Sequence, residues 1–149
     1  MKPCSVAIVG AAETTELGVI PNTSQLELHC DAALNALRDA GLRPTDIDGV
    51  ATAGESPIAI AHHLGITPTY VDGTGVGGCS FMLHVRHAAA AINEGLCTTV
   101  LITHGESGKS NVARGMRAGG GGATLPGQFE APYGVMGPAT PSPSRRCAT

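Results

Sequence analysis

The residues of this chain best placed to do chemistry are the nine from Asp72 to Ser80, Asp-Gly-Thr-Gly-Val-Gly-Gly-Cys-Ser. A glycine-rich turn there delivers a single thiol, Cys79, onto the start of an apolar helix read over 79–94. A thiol on the first turn of a helix sits at the positive end of the helix dipole, which favours thiolate over thiol. Strand, tight turn and nucleophile at a helix start is a recurring way of presenting sulfur or oxygen to a substrate. The competing reading is a small, polarizable side chain packed where helix meets sheet. Position favours chemistry: Cys4, Cys30 and Cys97 lie within or beside apolar segments, whereas Cys79 stands on a glycine turn.

Other spacings are weaker. Gly73-Thr-Gly75-Val-Gly-Gly78 fits the dinucleotide pattern G-x-G-x-x-G, but it does not follow the first strand, and no acid stands at the usual distance after it. Thr103 to Ser110 is similar to a phosphate-binding loop, with Thr103 in place of the first glycine and a poor helix former after Lys109. His84 and His87 share a helix at i, i+3, yet no cysteine pair completes a zinc set. His62-His63 and His29-Cys30 make weaker metal candidates still.

The elements that must hold Cys79 alternate between strand and helix. Ser5 to Gly10 is a continuous apolar run of strand length. Ser24-Gln-Leu-Glu27 is a capping box, after which Leu26, Cys30, Ala33, Leu37 and Ala40 mark one face of a helix that Gly41 closes. Ile47 to Ala53 is a second strand. Ser56-Pro57 opens a short helix ending at Leu64-Gly65. Thr69 to Val71 is a third strand and Thr98 to Thr103 a fourth. In the helix between them Met82, Val85, Ala89 and Ile92 form one face, and other apolar residues nearly encircle it, which predicts a helix buried between layers. The order argues for an α/β sheet with right-handed crossovers.

Composition sets outer limits. A length of 149 residues with 42% hydrophobic residues fits one domain with a core. Aliphatic side chains and 21 glycines suit a buried parallel sheet with close helix packing. A formal charge of -3 gives no reason to expect nucleic acid or an anionic membrane as partner. No segment near the start is long enough for a signal peptide or a membrane span. Five cysteines without paired spacing argue for a reducing, cytoplasmic setting. The core is expected over 1–110, a glycine-rich loop region over 111–137, and an irregular tail over 138–149. Loss of core pattern after Gly137 suggests that this tail is read out of frame.

Val6 to Thr14, the helix from Leu26 to Gly41, Pro44 to Gly49, Gly77-Gly-Cys-Ser-Phe81 and Ile92-Asn-Glu-Gly95 together resemble the thiolase superfamily. The likeness is closest to its sterol-carrier and lipid-transfer-type members. Val100 to Ser107 and Gln128 to Gly137 are similar to segments of that group as well. The resemblance implies a thiolase-like half: a mixed, mainly parallel β-sheet flanked by helices, with a buried central helix. It implies a CoA thioester as substrate and no bound cofactor, with acyl transfer through Cys79 as nucleophile. Gly77, Gly78 and Ser80 would bind substrate around it, and their N–H groups would hold an oxyanion. Counted back from Ile92, however, the thiolase nucleophile position falls on Gly78. Some lipid-transfer-type relatives are retro-aldolases, and a non-catalytic acyl-CoA or lipid scaffold is the further alternative. The second half of a thiolase, with its acid and base, has no counterpart in this sequence, so the piece is expected to be inactive alone. Relatives suggest a homodimer, or a separate partner protein.

Overall fold

The computed structural model describes residues 5–105. The readings that fall on 111–137, on 138–149 and on the end of the phosphate-loop-like stretch lie outside the described residues.

Three helices and three strands follow one another: α1 (Gln25–Ala40), β1 (Gly49–Thr52), α2 (Pro57–Leu64), β2 (Tyr70–Asp72), α3 (Ser80–Asn93) and β3 (Val100–Thr103). A single 3-10 turn, Pro44–Asp46, precedes β1. The capping box forms as its residue types dictate. Glu27 N–H donates to Ser24 Oγ at 3.2 Å, and Ser24 N–H donates back to the Glu27 carboxylate at 2.7 Å. Gly41, at φ +68°, turns the chain out of α1 in a left-handed conformation that a side chain would strain.

All three strands are parallel, in the order β2-β1-β3. β1 is central and buried at every residue. The chain moves from β1 outwards to β2, then back across β1 to β3. Right-handed crossovers in opposite directions place α2 and α3 on opposite faces of the sheet. α1 joins α2 over the face that carries Val50 and Leu101, where Cys30, Ala33, Leu37, Ile60 and Ile66 close the main core.

One residue, Asp48, ties the amino ends of all three strands. The Asp48 carboxylate accepts from Thr98 N–H, Thr98 Oγ1 and Thr99 N–H at 2.8–2.9 Å, while its main-chain oxygen accepts from Thr69 and Tyr70 N–H. Desolvation pushes this carboxyl up, but the bonds from Thr99 and Thr98 outweigh it and leave its pKa lowered.

Two expectations change. Ser5 to Gly10 is not a strand of the sheet. Its residues 5–9 are exposed, and the sheet of the described residues consists of β2, β1 and β3 alone. A strand is made by its partner as much as by its sequence. α3, expected from its nearly all-round apolar surface to be buried between layers, is covered on one side only within residues 5–105. Ser80, His84, Ala88, Ala89 and Ala91 are buried, while Met82 is 71% exposed and Val85 44%. Small residues let α3 approach the sheet closely, so its bulkier apolar side faces outwards within residues 5–105.

Candidate active site

The three parallel strands end on one side of the sheet, where β1 runs into Gly54, β2 into the glycine turn and β3 into His104 and Gly105. In open parallel sheets this is where ligands are bound. The turn after β2 is held at both ends. Asp72 accepts from Thr74 N–H at 2.9 Å and Thr74 Oγ1 at 2.7 Å, and its other oxygen meets His87 Nδ1 at 2.7 Å. Desolvation raises the Asp72 pKa, yet the bonds from Thr74 and His87 win and hold it at about 2. His84, fully buried in α3, reaches Thr74 O through Nε2 at 3.0 Å.

At the far end Ser80 is buried, and its hydroxyl is used inside the turn. It donates to Gly77 O at 2.7 Å and accepts from Val76 N–H at 3.0 Å. Gly77 adopts φ +83°, which glycine enters without strain. Ser80 N–H bonds to Gly77 O, whereas the N–H groups of Gly77, Gly78 and Cys79 have no partner among the described residues. Cys79 is the N-cap of α3 and is exposed, in contrast to buried Cys30 and Cys97. Burial raises the pKa of both buried thiols. The structure therefore brings Gly77, Gly78 and Cys79 together at the open end of the sheet and sets Ser80 beneath them. His84 and His87 diverge onto different partners, and no cluster of three metal-ligating side chains occurs among the described residues.

A second polar group lies alongside, whose members the sequence offered only as a weak metal candidate and part of a phosphate-loop-like stretch. His29, fully buried in α1, shares a hydrogen bond between Nδ1 and Thr103 Oγ1 at 2.9 Å, with Thr52 Oγ1 at 3.3 Å. Thr52 donates to Thr103 O, and Gln25 Nε2 donates to Gly105 O at 2.9 Å, so the ends of β1 and β3 are clamped together. His29 Nε2 has no partner among the described residues. Desolvation, helped by nearby His104, lowers the His29 pKa, against a smaller opposing pull from Glu55. His104 itself is exposed, with its ring 5.3 Å from that of Phe81 in the first turn of α3. The signal that could have found this pair is position: His104 directly follows the last strand.

Comparison with known proteins bears on the fold. No family model matches. A steroid side-chain-cleaving aldolase of Thermomonospora curvata is 33% identical over 122 residues, covering 79% of this chain and 31% of its own length. A 17-hydroxy-3-oxo-4-pregnene-20-carboxyl-CoA lyase of Mycobacterium tuberculosis is 31% identical over 142 residues, covering 89% of this chain and 36% of its own. Among solved structures, the Ltp2-ChsH2(DUF35) aldolase superposes with a TM-score of 0.64 at 29% identity, over 89% of this chain and 36% of that one. A monomeric SCP2-thiolase-like protein of Mycobacterium smegmatis gives 0.57 at 31% identity, over 66% and 22%. The chain is thiolase-like. This thiolase-like chain spans about a third of the length of the two curated relatives. Its glycine turn and α3 are the part of the fold that the sequence resemblance assigned to the nucleophile loop and the helix after it.

Proposed function

We propose that this chain forms the oxygen-holding side of a CoA-thioester site at which a carbon–carbon bond is broken or made. The observation that carries this reading is the set of three N–H groups, Gly77, Gly78 and Cys79, unpartnered among the described residues, on a turn braced by Asp72 and Ser80. Such donors, fixed in advance, stabilise negative charge that develops on a carbonyl oxygen. In a retro-aldol cleavage the β-hydroxyl of the substrate loses its proton, the carbon–carbon bond breaks, and the electron pair moves onto the thioester as an enolate. The new ketone or aldehyde departs, and the enolate carbon takes up a proton. Both curated relatives bear the names of bond-cleaving enzymes, an aldolase and a CoA lyase, which supports this direction over acyl transfer. The N–H groups would hold the enolate oxygen, and the acid and base would come from polypeptide outside the described residues.

Acyl transfer is the second reading, and the exposure of Cys79 favours it. There the thiolate attacks the thioester carbon, CoA leaves as a thiol, and the acyl group rests on sulfur. Both readings need no bound cofactor. They take the chain to work as a homodimer or with a partner polypeptide in a reducing cytoplasm.

Incubation of the chain with acetyl-CoA, followed by calorimetry and intact-mass measurement, separates them. Binding without a covalent adduct, unchanged in Cys79→Ser, is expected for the cleavage reading. An acetyl adduct that Cys79→Ser removes would establish acyl transfer instead. Absence of binding, both to the chain alone and to the chain joined to its second half, would end the thioester reading.

A further inference from the structure

Side chains alternate between the two faces of a strand. Leu101 and Thr103 lie on the face covered by α1, where Leu101 joins the core and Thr103 meets His29. The alternation sends the next residue, His104, to the face where α3 lies, and its ring contact with Phe81 in the first turn of α3 agrees. Cys79 stands just before that turn. His104 and the N–H groups of Gly77, Gly78 and Cys79 therefore share one face and one end of the sheet.

His104 is exposed, yet its surroundings fix it. Thr103 before it is bonded through Oγ1 and through its main-chain oxygen, and Gly105 after it is bonded through its main-chain oxygen to Gln25. Gly105 also packs so closely that a Cβ there would sit 2.8 Å from His29 Cδ2. The His104 ring itself meets two others, Phe81 at 5.3 Å and His29 edge-on at 6.3 Å. Burying His29, Thr52 and Thr103 as a hydrogen-bonded group adds little stability over apolar side chains of the same shape. What the group does achieve is to set the backbone on both sides of residue 104. His29, His84 and His87 each spend a ring nitrogen on a protein partner, whereas neither nitrogen of His104 has one among the described residues. A braced, exposed imidazole with both nitrogens unused is suited to meet a ligand.

We propose that His104 binds the oxygen on the β-carbon of the acyl chain through its ring N–H, and so selects β-oxygenated acyl thioesters. The inference rests on the thioester reading above. With the thioester oxygen on the N–H groups of the turn, the β-oxygen lies further along the acyl chain, and His104 offers a donor on that same face. A neutral imidazole has one N–H to give, and a hydroxyl and a carbonyl oxygen both accept it, so the contact holds before and after bond cleavage. As the hydroxyl loses its proton, that donor stabilises the charge left on the oxygen.

Calorimetry of the full chain with acetyl-CoA and with 3-hydroxybutyryl-CoA tests this. The parent should bind the hydroxy thioester about fivefold more tightly, the worth of one neutral hydrogen bond. His104→Ala should lose that preference and keep its affinity for acetyl-CoA, which has no β-oxygen. His104→Gln, with a side-chain N–H restored, should recover part of the preference. The His104 ring resonances, identified by their absence in His104→Gln, should shift with 3-hydroxybutyryl-CoA and stay in place with acetyl-CoA. A residue that only packs against Phe81 would show no such difference. Equal affinity of the parent for the two thioesters, or a preference that survives His104→Ala, would overturn the proposal and leave the thioester reading standing. Binding of neither thioester, to the chain alone and to the chain joined to its second half, would end both.

Discussion

Asp72 carries more of the site than its place at the edge of a glycine motif suggests. It is a carboxylate with three close donors, and its side chain is only 10% exposed. Its folded pKa of about 2 lies below the ordinary 3.8, so the charged form is what folding favours. The stability it adds is complete above pH 4 and disappears as pH falls from about 4 to about 2, worth about 2 kcal/mol by linkage. Asp72→Asn should therefore be less stable at pH 7 by about that amount. Its urea midpoint should converge on that of the parent near pH 2, and parallel curves would show that the carboxylate is not the cause. His29 has the opposite charge chemistry but the same sign of slope. Its folded pKa is lowered from 6.5, so the neutral form is favoured and stability is lost as pH drops below 6.5. In His29→Asn the melting temperature should start lower but decline less between pH 7 and pH 5. None of this was legible in the sequence. A histidine next to a cysteine on an apolar helix face gives no sign of the two threonines, 23 and 74 residues away, that it will meet.

Elements with local causes were read correctly, and elements with distant causes were not. The capping box of α1, the closing glycines after α1 and α2, and the glycine turn ahead of α3 all follow from residues within a few positions of one another. Ser5 to Gly10 has the right composition for a strand, but a place in a ladder is set by the whole sheet, and the segment is not among the three strands of the described residues. The one-sided cover of α3 within residues 5–105 has a related cause. Hydrophobicity ranks Met82 and Val85 above Ala88 and Ser80, whereas close packing on a sheet selects small residues. The turn itself gives a direct check. Gly77 sits at φ +83°, with open space where a Cβ would project, so Gly77→Ala tests backbone strain without a clash. The substitution should cost about 1 kcal/mol and slow Cys79 alkylation relative to Gly78→Ala, which has no positive φ to lose. Equal effects at the two positions would mean that the turn is not held in the described shape.

At the scale of the whole molecule, an apolar surface is exposed among the described residues. Phe81, Met82 and Val85 on α3 and Val71 on β2 are exposed together with the run at 6–9. Surfaces of this kind in a monomer mark an interface. Sedimentation should show the chain self-associating in the micromolar range, and Met82→Lys with Val85→Lys should shift it to monomer without loss of helix. A monomeric parent chain would remove this expectation. The family, and with it the sheet, was legible because short motifs recur in order along the chain. The carboxyl-end clamp of His29, Thr52 and Thr103 was not, because it is particular to how these strands end.

The order β2-β1-β3 also bears on how the chain is made. The strand synthesised first becomes the centre of the sheet, and each later strand is laid down on one of its edges. Until residues 98–103 have left the ribosome, one side of β1 has no neighbour and Asp48 lacks the threonines that its carboxylate binds. At about 5–20 residues per second, the roughly fifty residues between Asp48 and Thr98 leave that edge uncovered for seconds. The nascent chain would accordingly be at its most aggregation-prone in that interval, and chaperone binding would be concentrated on β1.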